Sequence, residues 1–415
     1  MNKAKYINKC RLCTSSKLDE IIDFGKIPLG NNLCNTKLIS KKAKVFNLKL
    51  IRCSKCKHFQ LNYEVSPKEL YATNYTYLSG VGTSFIKHFN NYERWIKKKC
   101  KLSKQDMVLD IGSNDGTCLK AFKKKGFNVL GIDPARLPSK LANKDGIKTI
   151  NSFFDTKSAK KIKNEYGGID FITSHNVLAH IGDIKNVFEN IYYLLKNDGF
   201  FCFEVGYFLS VLKNNLFDTI YHEHLDYHHA APLTKYLYSI GFSIVHIDTN
   251  KIQGGTLRIL CKKNSNKKIY YQPKKFLANE NKSIINNKIF LKNWPSNIFL
   301  NIKKFSDLID EELRDGKMIY GYGAPTKATL ILKLATLRNN SIKYIIEDNQ
   351  LKVNKYLPKT DIKVVKLGKQ NLNEPDIIII FAWNFVSDII KKIIKIRSRP
   401  LKIIIPLPKL KVIKI

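Results

Sequence analysis

Arginine is scarce in this chain. It accounts for only nine of the 72 basic residues, which stand against 34 acidic ones and give a net charge of +38. Arginine is the side chain favoured for bidentate contacts to phosphates and bases. The lysines that replace it are spread along the whole sequence rather than gathered into one stripe. They read as a solvated surface, and nucleic acid is not an expected partner. Long apolar runs are also missing: no 18 consecutive apolar residues occur, which argues against a membrane-spanning helix. The opening MNKAKYINKC has no apolar core behind it, so it does not read as a secretory signal, and the cytoplasm is the expected location. Nine cysteines in that setting argue against a disulfide framework. What is present, 415 residues with 44% hydrophobic and 26% charged, suits two or three globular domains.

Four of the nine cysteines are grouped. Cys10-Arg-Leu-Cys13 is followed after 39 residues by Cys53-Ser-Lys-Cys56. Paired CxxC knuckles place four sulfurs around one tetrahedral zinc ion. All four positions are then filled, so a structural rather than a catalytic metal is expected. The alternative is four reduced thiols packed in a core. Between the pairs lies DFGKIPLGNNL (23–33), which reads as a strand end and a turn.

The segment QDMVLDIGSNDGTCLKAFKKKGFNVLGIDPA (105–135) reads as strand, glycine turn, helix and strand. Such a unit binds an adenosine moiety at the carboxyl ends of its strands. A third glycine in phase is lacking, so this is not the GxGxxG of a pyrophosphate site. Asp110 and Asp115 put negative charge beside the turn, which suits a cationic sulfonium cofactor. S-adenosylmethionine is therefore expected on Asp110, Gly112, Ser113, Asn114, Asp115 and Gly116, with Asp133 accepting the ribose hydroxyls. A further strand is predicted over 170–174, with Asn176 just past its end in the same crevice. A helix over 187–195 and a strand over 200–204 continue the alternation of a doubly wound sheet.

Four of the nine histidines fall within residues 222–229. Histidine is the natural general base near neutral pH, and His-x-His beside a carboxylate can also hold a metal. On a strand, His222 and His224 would share a face from which Glu223 points away; on a helix they would lie about 200° apart. Three readings stand at this point: acid/base, metal, and surface histidines without a role. Upstream, Tyr71 to Gly80 is rich in tyrosine, including Tyr75 and Tyr77, and precedes a helix over 83–99. Residues 263–300 show weak periodicity and read as a surface helix and a connection. Beyond them, strand–turn–helix over 317–327 and strands at 344–348 and 376–384 predict a second doubly wound half. GYGAPTK lacks the Walker spacing, but Lys327 at a helix start is a candidate for phosphate contact.

These motifs, taken together, resemble the sugar C-methyltransferases that act on nucleotide-linked 4-keto deoxysugars. The likeness covers nearly the whole chain: the CxxC pairs with DFGKIPLGNNL, the YxYxSG stretch, VLDIGSNDGT, NVLAHIGD, IYHEHLDY, QGGTLRIL and GYGAPTKATLIL. IYHEHLDY and GYGAPTKATL are the most specific, because ordinary methyltransferases lack both. Two departures are visible: Gln253 stands where that family often has histidine, and Thr256 where serine is common.

The resemblance implies an α/β chain of three parts. A zinc-binding module would occupy residues 1–70 and a Rossmann-like class I methyltransferase domain residues 71–245. A C-terminal Rossmann-like domain, 246–415, would help to bind the sugar nucleotide. It further implies that His224 removes a proton beside the sugar ketone, with Tyr221, Glu223, His180 and Tyr77 around the reacting atoms. Tyr75, His222 and Lys327 would contact the substrate. A monomer is expected. The rivals are methylation of a sugar oxygen, methylation of nucleic acid, and a non-catalytic zinc-stabilised binding protein.

Overall fold

A computed structural model of the chain describes residues 4–66, 69–70, 78–81, 83–264, 266, 268–338 and 340–415. Tyr75 and Tyr77 lie outside the described residues.

The N-terminal part is built on an antiparallel sheet. Leu18–Pro28 pairs with Val45–Cys53, which pairs with Phe59–Leu61. The fourth strand, Asp226–Tyr227, comes from far along the chain and pairs with Phe59 and Gln60. It is the tail of the histidine-rich segment, so the candidate chemistry is stitched directly onto the cysteine-bearing module.

The central sheet has seven strands. Met107–Ile111 lies inside, with Asn128–Ile132 and Thr149–Ile150 on one side and Ile169–His175 and Leu195–Gly206 on the other, all five parallel. The direction of winding reverses between Met107–Ile111 and Ile169–His175, which opens a crevice at their carboxyl ends. Alternate side chains bury on opposite faces: Leu109 and Ile111 enter one core while Val108 enters another. The sheet runs beyond residue 245. Its antiparallel edge is formed by Phe242–Asn250 and Thr256–Lys263.

The C-terminal sheet repeats this plan. Ile319–Tyr322 is flanked by Tyr344–Glu347 and Lys363–Lys366 on one side and by Ile377–Ile380 and Lys402–Ile405 on the other, again all parallel. Lys411–Lys414 closes it antiparallel. The expected second doubly wound half is therefore present.

The expected surface helix over 263–300 is replaced by two helices, Tyr271–Asn281 and Lys288–Arg314. The second spans 27 residues and starts on Asn287, whose side chain caps the Phe290 amide. Leu291, Trp294, Ile298, Ile302, Phe305 and Ile309 form its buried stripe at helical spacing. The Lys/Asn-rich lead-in masks that stripe, most of which lies at or beyond residue 298. No described helix is long and apolar enough to cross a membrane.

Candidate active site

The crevice is shaped by backbone that few side chains tolerate. Gly112, Asn114 and Gly116 all take positive φ, at 73°, 50° and 74°. A Cβ on Gly112 would lie 2.2 Å from a methyl of Val177 on the facing strand end, so glycine is required there on both counts. Asp133 ties the turn down: its two oxygens accept the amides of Asn114 (2.9 Å) and Ala135 (2.8 Å). Asn114 and Asp115 turn toward the lead-in segment rather than standing free. The Asn114 side-chain oxygen accepts the Ser79 amide at 3.0 Å, and Asp115 accepts the Gly80 amide at 2.8 Å and the Thr117 hydroxyl at 2.5 Å. Ser79 and Gly80 are thereby clamped onto the crevice loop. The buried Ser113 hydroxyl has no partner among the described residues. Asn176 takes φ 57° and donates its amide to the Glu204 carbonyl.

Asp110 is 2% exposed, and one of its oxygens has no partner among the described residues. Burial, then the charge of Asp133, pushes its carboxyl well above the usual range. A cationic ligand beside the glycine turn would favour the ionised form of this carboxyl, whereas a pyrophosphate would oppose it.

The four cysteine sulfurs lie within 4.8 Å of one another, with Cys10–Cys56 and Cys13–Cys53 at 3.5 Å. Zinc–sulfur bonds of about 2.3 Å in a regular tetrahedron require sulfur separations near 3.8 Å. The cage therefore fits zinc. Each knuckle closes with a residue at positive φ, Thr14 and Lys57, whose amides donate to the Cys10 and Cys53 carbonyls. Arg11, inside the first knuckle, reaches across to the Leu225 carbonyl (3.2 Å) and lies 3.9 Å from Asp226.

The histidine-rich segment is neither strand nor helix until Asp226. A 3-10 turn, Phe217–Thr219, leads into an irregular turn. His222 and His224 consequently diverge. His222 donates to the Phe46 carbonyl of the N-terminal sheet (3.2 Å) and bridges the modules. His224 donates from Nδ1 to the Thr219 carbonyl (3.0 Å). That bond fixes the tautomer, so Nε2 carries the lone pair and accepts the Tyr221 hydroxyl at 2.8 Å. Burial, then the neighbouring His180, lowers the His224 pKa to about 3. The His180 ring stands edge-on to it at 4.9 Å. Glu223, 6% exposed, is raised by burial to about 7 and receives the Asn31 amide on both oxygens. Among the described residues, no group of three metal-ligating side chains includes His222 or His224, so the metal reading of this segment falls away.

Three family models tile the chain. They describe a zinc binding domain (residues 10–71), a methyltransferase domain (86–247) and a C-methyltransferase C-terminal domain (251–408). The C-methyltransferase NovU of Streptomyces niveus is 28% identical over 408 residues, covering 98% of this chain and 97% of its own. The chain is thus a methyltransferase whose central domain lies between a zinc binding domain and a C-methyltransferase C-terminal domain. Solved structures similar to its central part include a methyltransferase from Clostridium acetobutylicum (14% identity, 43% of this chain, 92% of that one, TM-score 0.36). Another is the magnesium protoporphyrin IX methyltransferase of Synechocystis PCC 6803 (15% identity, 44% and 89%, TM-score 0.35).

The cofactors of the C-methyltransferase are S-adenosylmethionine and, with four cysteines clustered to hold it, zinc. Purified enzyme is expected to carry about one zinc per chain. Cys53→Ser should lose that metal and lower the melting temperature, read by elemental analysis and calorimetry.

Lys327 is not an open cation in the enzyme. Its ammonium lies 3.6 Å from the fully buried Asp218, 3.1 Å from the Asn384 side-chain oxygen, and 3.7 Å above the Trp383 ring. Trp383 in turn donates to Asp218 at 2.6 Å. The GYGAPTK loop thus docks beside the 3-10 turn that holds His224.

Sequence reasoning missed a second buried hub. Glu204, at the end of its strand, accepts His88 (2.7 Å), His175 (3.1 Å), Asn250 (3.2 Å) and two nitrogens of Arg258 (2.6 and 2.8 Å). Burial alone would raise its carboxyl; the two histidines and Arg258 hold it well below the usual range. Arg258 supplies the positive charge that a metal on His88, His175 and Glu204 would bring. The only sequence signal was an acid closing the apolar run FFCFE.

Proposed function

We propose that the enzyme methylates a carbon next to the ketone of a nucleotide-linked 4-keto-6-deoxysugar. The observation that carries this reading is the Tyr221–His224 pair with its fixed tautomer, beside Glu223, in a turn joined to all three domains. The IYHEHLDY and GYGAPTKATL motifs favour a keto sugar as the substrate.

Carbon becomes a nucleophile only when a proton is lost, and an adjacent ketone lets it leave as an enolate. His224 Nε2 takes that proton once the Tyr221 hydroxyl turns from it to the ketone oxygen. Tyr221 then donates to the developing oxyanion. Glu223 compensates the imidazolium, His180 packs against it, and Tyr77 completes the surround of the reacting atoms. When bound, S-adenosylmethionine supplies the methyl group as an electrophilic sulfonium. Asp110, the 112–116 turn, Asp133 and Asn176 would hold it beside the substrate, where proximity favours transfer.

In this reading the domains divide the work as 1–70, 71–245 and 246–415, the start of the last completing the central sheet through Lys263. The C-terminal part holds the sugar nucleotide together with Tyr75, His222 and Lys327, Lys327 shaping the wall through Asp218 and Trp383. The enzyme acts as a monomer. Four reduced thiolates on zinc suit the cytoplasm.

The test is isotope exchange. Incubated with nucleotide-linked 4-keto-6-deoxysugars in heavy water, the enzyme should introduce deuterium beside the ketone. With S-adenosylmethionine it should add one carbon-bound methyl group, read by mass spectrometry. Cofactor binding without exchange or methylation across a broad keto-sugar panel would overturn the proposal.

A further inference from the structure

One carboxyl group of the central domain is tied to the other two domains by a short relay. Thr326, in the GYGAPTK loop, donates its hydroxyl to the Asn31 side-chain oxygen at 2.5 Å. Asn31, in the GNN turn of the zinc-binding domain, donates its nitrogen to both oxygens of Glu223 at 2.9 Å. These partners lie 295 and 192 residues apart in sequence. The approach is built in at the backbone as well. A Cβ on Gly30 would fall 2.1 Å from the Thr326 carbonyl oxygen, so the two loops meet this closely only because residue 30 is glycine.

We propose that Asn31 and Thr326 are positioning residues that set the orientation and ionisation of Glu223, so that docking of the C-terminal domain is felt at the catalytic turn. The inference rests on the role given to Glu223 above. An amide presents one donor end and one acceptor end. With the Thr326 hydroxyl donating to its oxygen, Asn31 must aim its nitrogen at Glu223, and two hydrogen bonds to a buried carboxylate favour the ionised form. Without Thr326 that preference is lost. The other groups facing Glu223 do not replace it. Lys352, from the C-terminal domain, acts only through its charge, while its ammonium bonds the Ala324 carbonyl. His180 bonds the main chain of Glu223. Tyr221 and His224 bond each other, and His222 faces Phe46.

The experiment follows the carboxyl directly. Full-length, zinc-loaded enzyme labelled with 13C at the glutamate carboxyl is titrated by NMR, with Glu223→Gln identifying the signal. The wild-type midpoint is expected near 7. Asn31→Leu should move it upward by about one unit. Thr326→Val should move it the same way, and Thr326→Ser should restore it, which a merely structural role would not produce. Midpoints unchanged in both Asn31→Leu and Thr326→Val would overturn the proposal. If Asn31→Leu does not fold, the Thr326 pair decides alone. A Glu223→Gln enzyme with unchanged turnover would overturn the catalytic role of Glu223 and leave the relay to the titration.

Discussion

His224→Gln is expected to lower kcat by about 10²–10⁴-fold, the range for losing a positioned general base. Affinity for S-adenosylmethionine should stay unchanged, because the hydrogen bonds of His224 run to Tyr221 and Thr219, away from the 110–116 turn. Glutamine keeps a polar side chain of similar reach but has no nitrogen lone pair to take a proton from carbon. Deuterium uptake by the keto sugar should therefore vanish together with methyl transfer. Tyr221→Phe removes the donor at Nε2 and should lower kcat by about 10²-fold, as for the loss of one oxyanion donor. Rapid-quench kinetics alongside cofactor titration separates these outcomes. A His224→Gln enzyme that still exchanges deuterium would assign the base to another group.

The second large effect is acid lability. His180, His222, His224 and His228 are held by burial near 4, 4, 3 and 4, against an ordinary value of 6.5. Each is neutral in the fold and protonates first in the unfolded chain. Below pH 6.5 the unfolded state binds more protons, so stability falls as pH drops toward 4. Above 6.5 neither state is protonated and the effect disappears. Each imidazole contributes a slope of up to about 1.4 kcal/mol per pH unit, so four together are a large fraction of a marginal folding free energy. Melting temperature is expected to be flat from pH 8 to 7 and to fall steeply between 6 and 4.5. A profile equally flat through pH 5, by calorimetry, would show that these histidines have open access to water. Glu223, raised to about 7, works the other way: it favours the fold below its ordinary range and loses that contribution as pH rises toward 7. Asp110, Asp133, Asp218 and Glu93, raised by burial, act in the same direction as Glu223, while the lowered His175 and the lowered carboxyls Glu204, Asp226 and Glu280 add to the slope of the four histidines, and the expected sign stands.

Short-range patterns were legible in the sequence, and long-range partners were not. The 107–116 strand and turn could be read because the glycines, the apolar run and the closing acid are all local. The knuckles could be read because CxxC spacing is itself the geometry of the cage. IYHEHLDY announced chemistry, but its shape did not follow from strand or helix periodicity, since the segment has neither until Asp226. Lys327 showed a cation at a helix start; the buried Asp218 that occupies it lies over a hundred residues earlier. Asn31 looked like part of a turn, and nothing local shows that it ends on Glu223. Glu204 likewise needs Arg258, His88 and His175 brought from three other elements. The long helix Lys288–Arg314 was missed because its stripe begins inside a stretch rich in lysine and asparagine.

The pairing of Asp226–Tyr227 with Phe59 and Gln60 bears on how this chain comes to be made. The N-terminal sheet cannot gain its fourth strand until the ribosome has delivered more than half of the polypeptide. Closing so long a loop is entropically unfavourable, with a cost that grows only slowly with length, but contacts of this separation slow the search for the native state. The zinc cage and the cofactor sheet can each assemble from neighbouring residues. The turn carrying His224 is pinned only when those two pieces find each other, which makes competence for chemistry a late event in the life of the nascent chain.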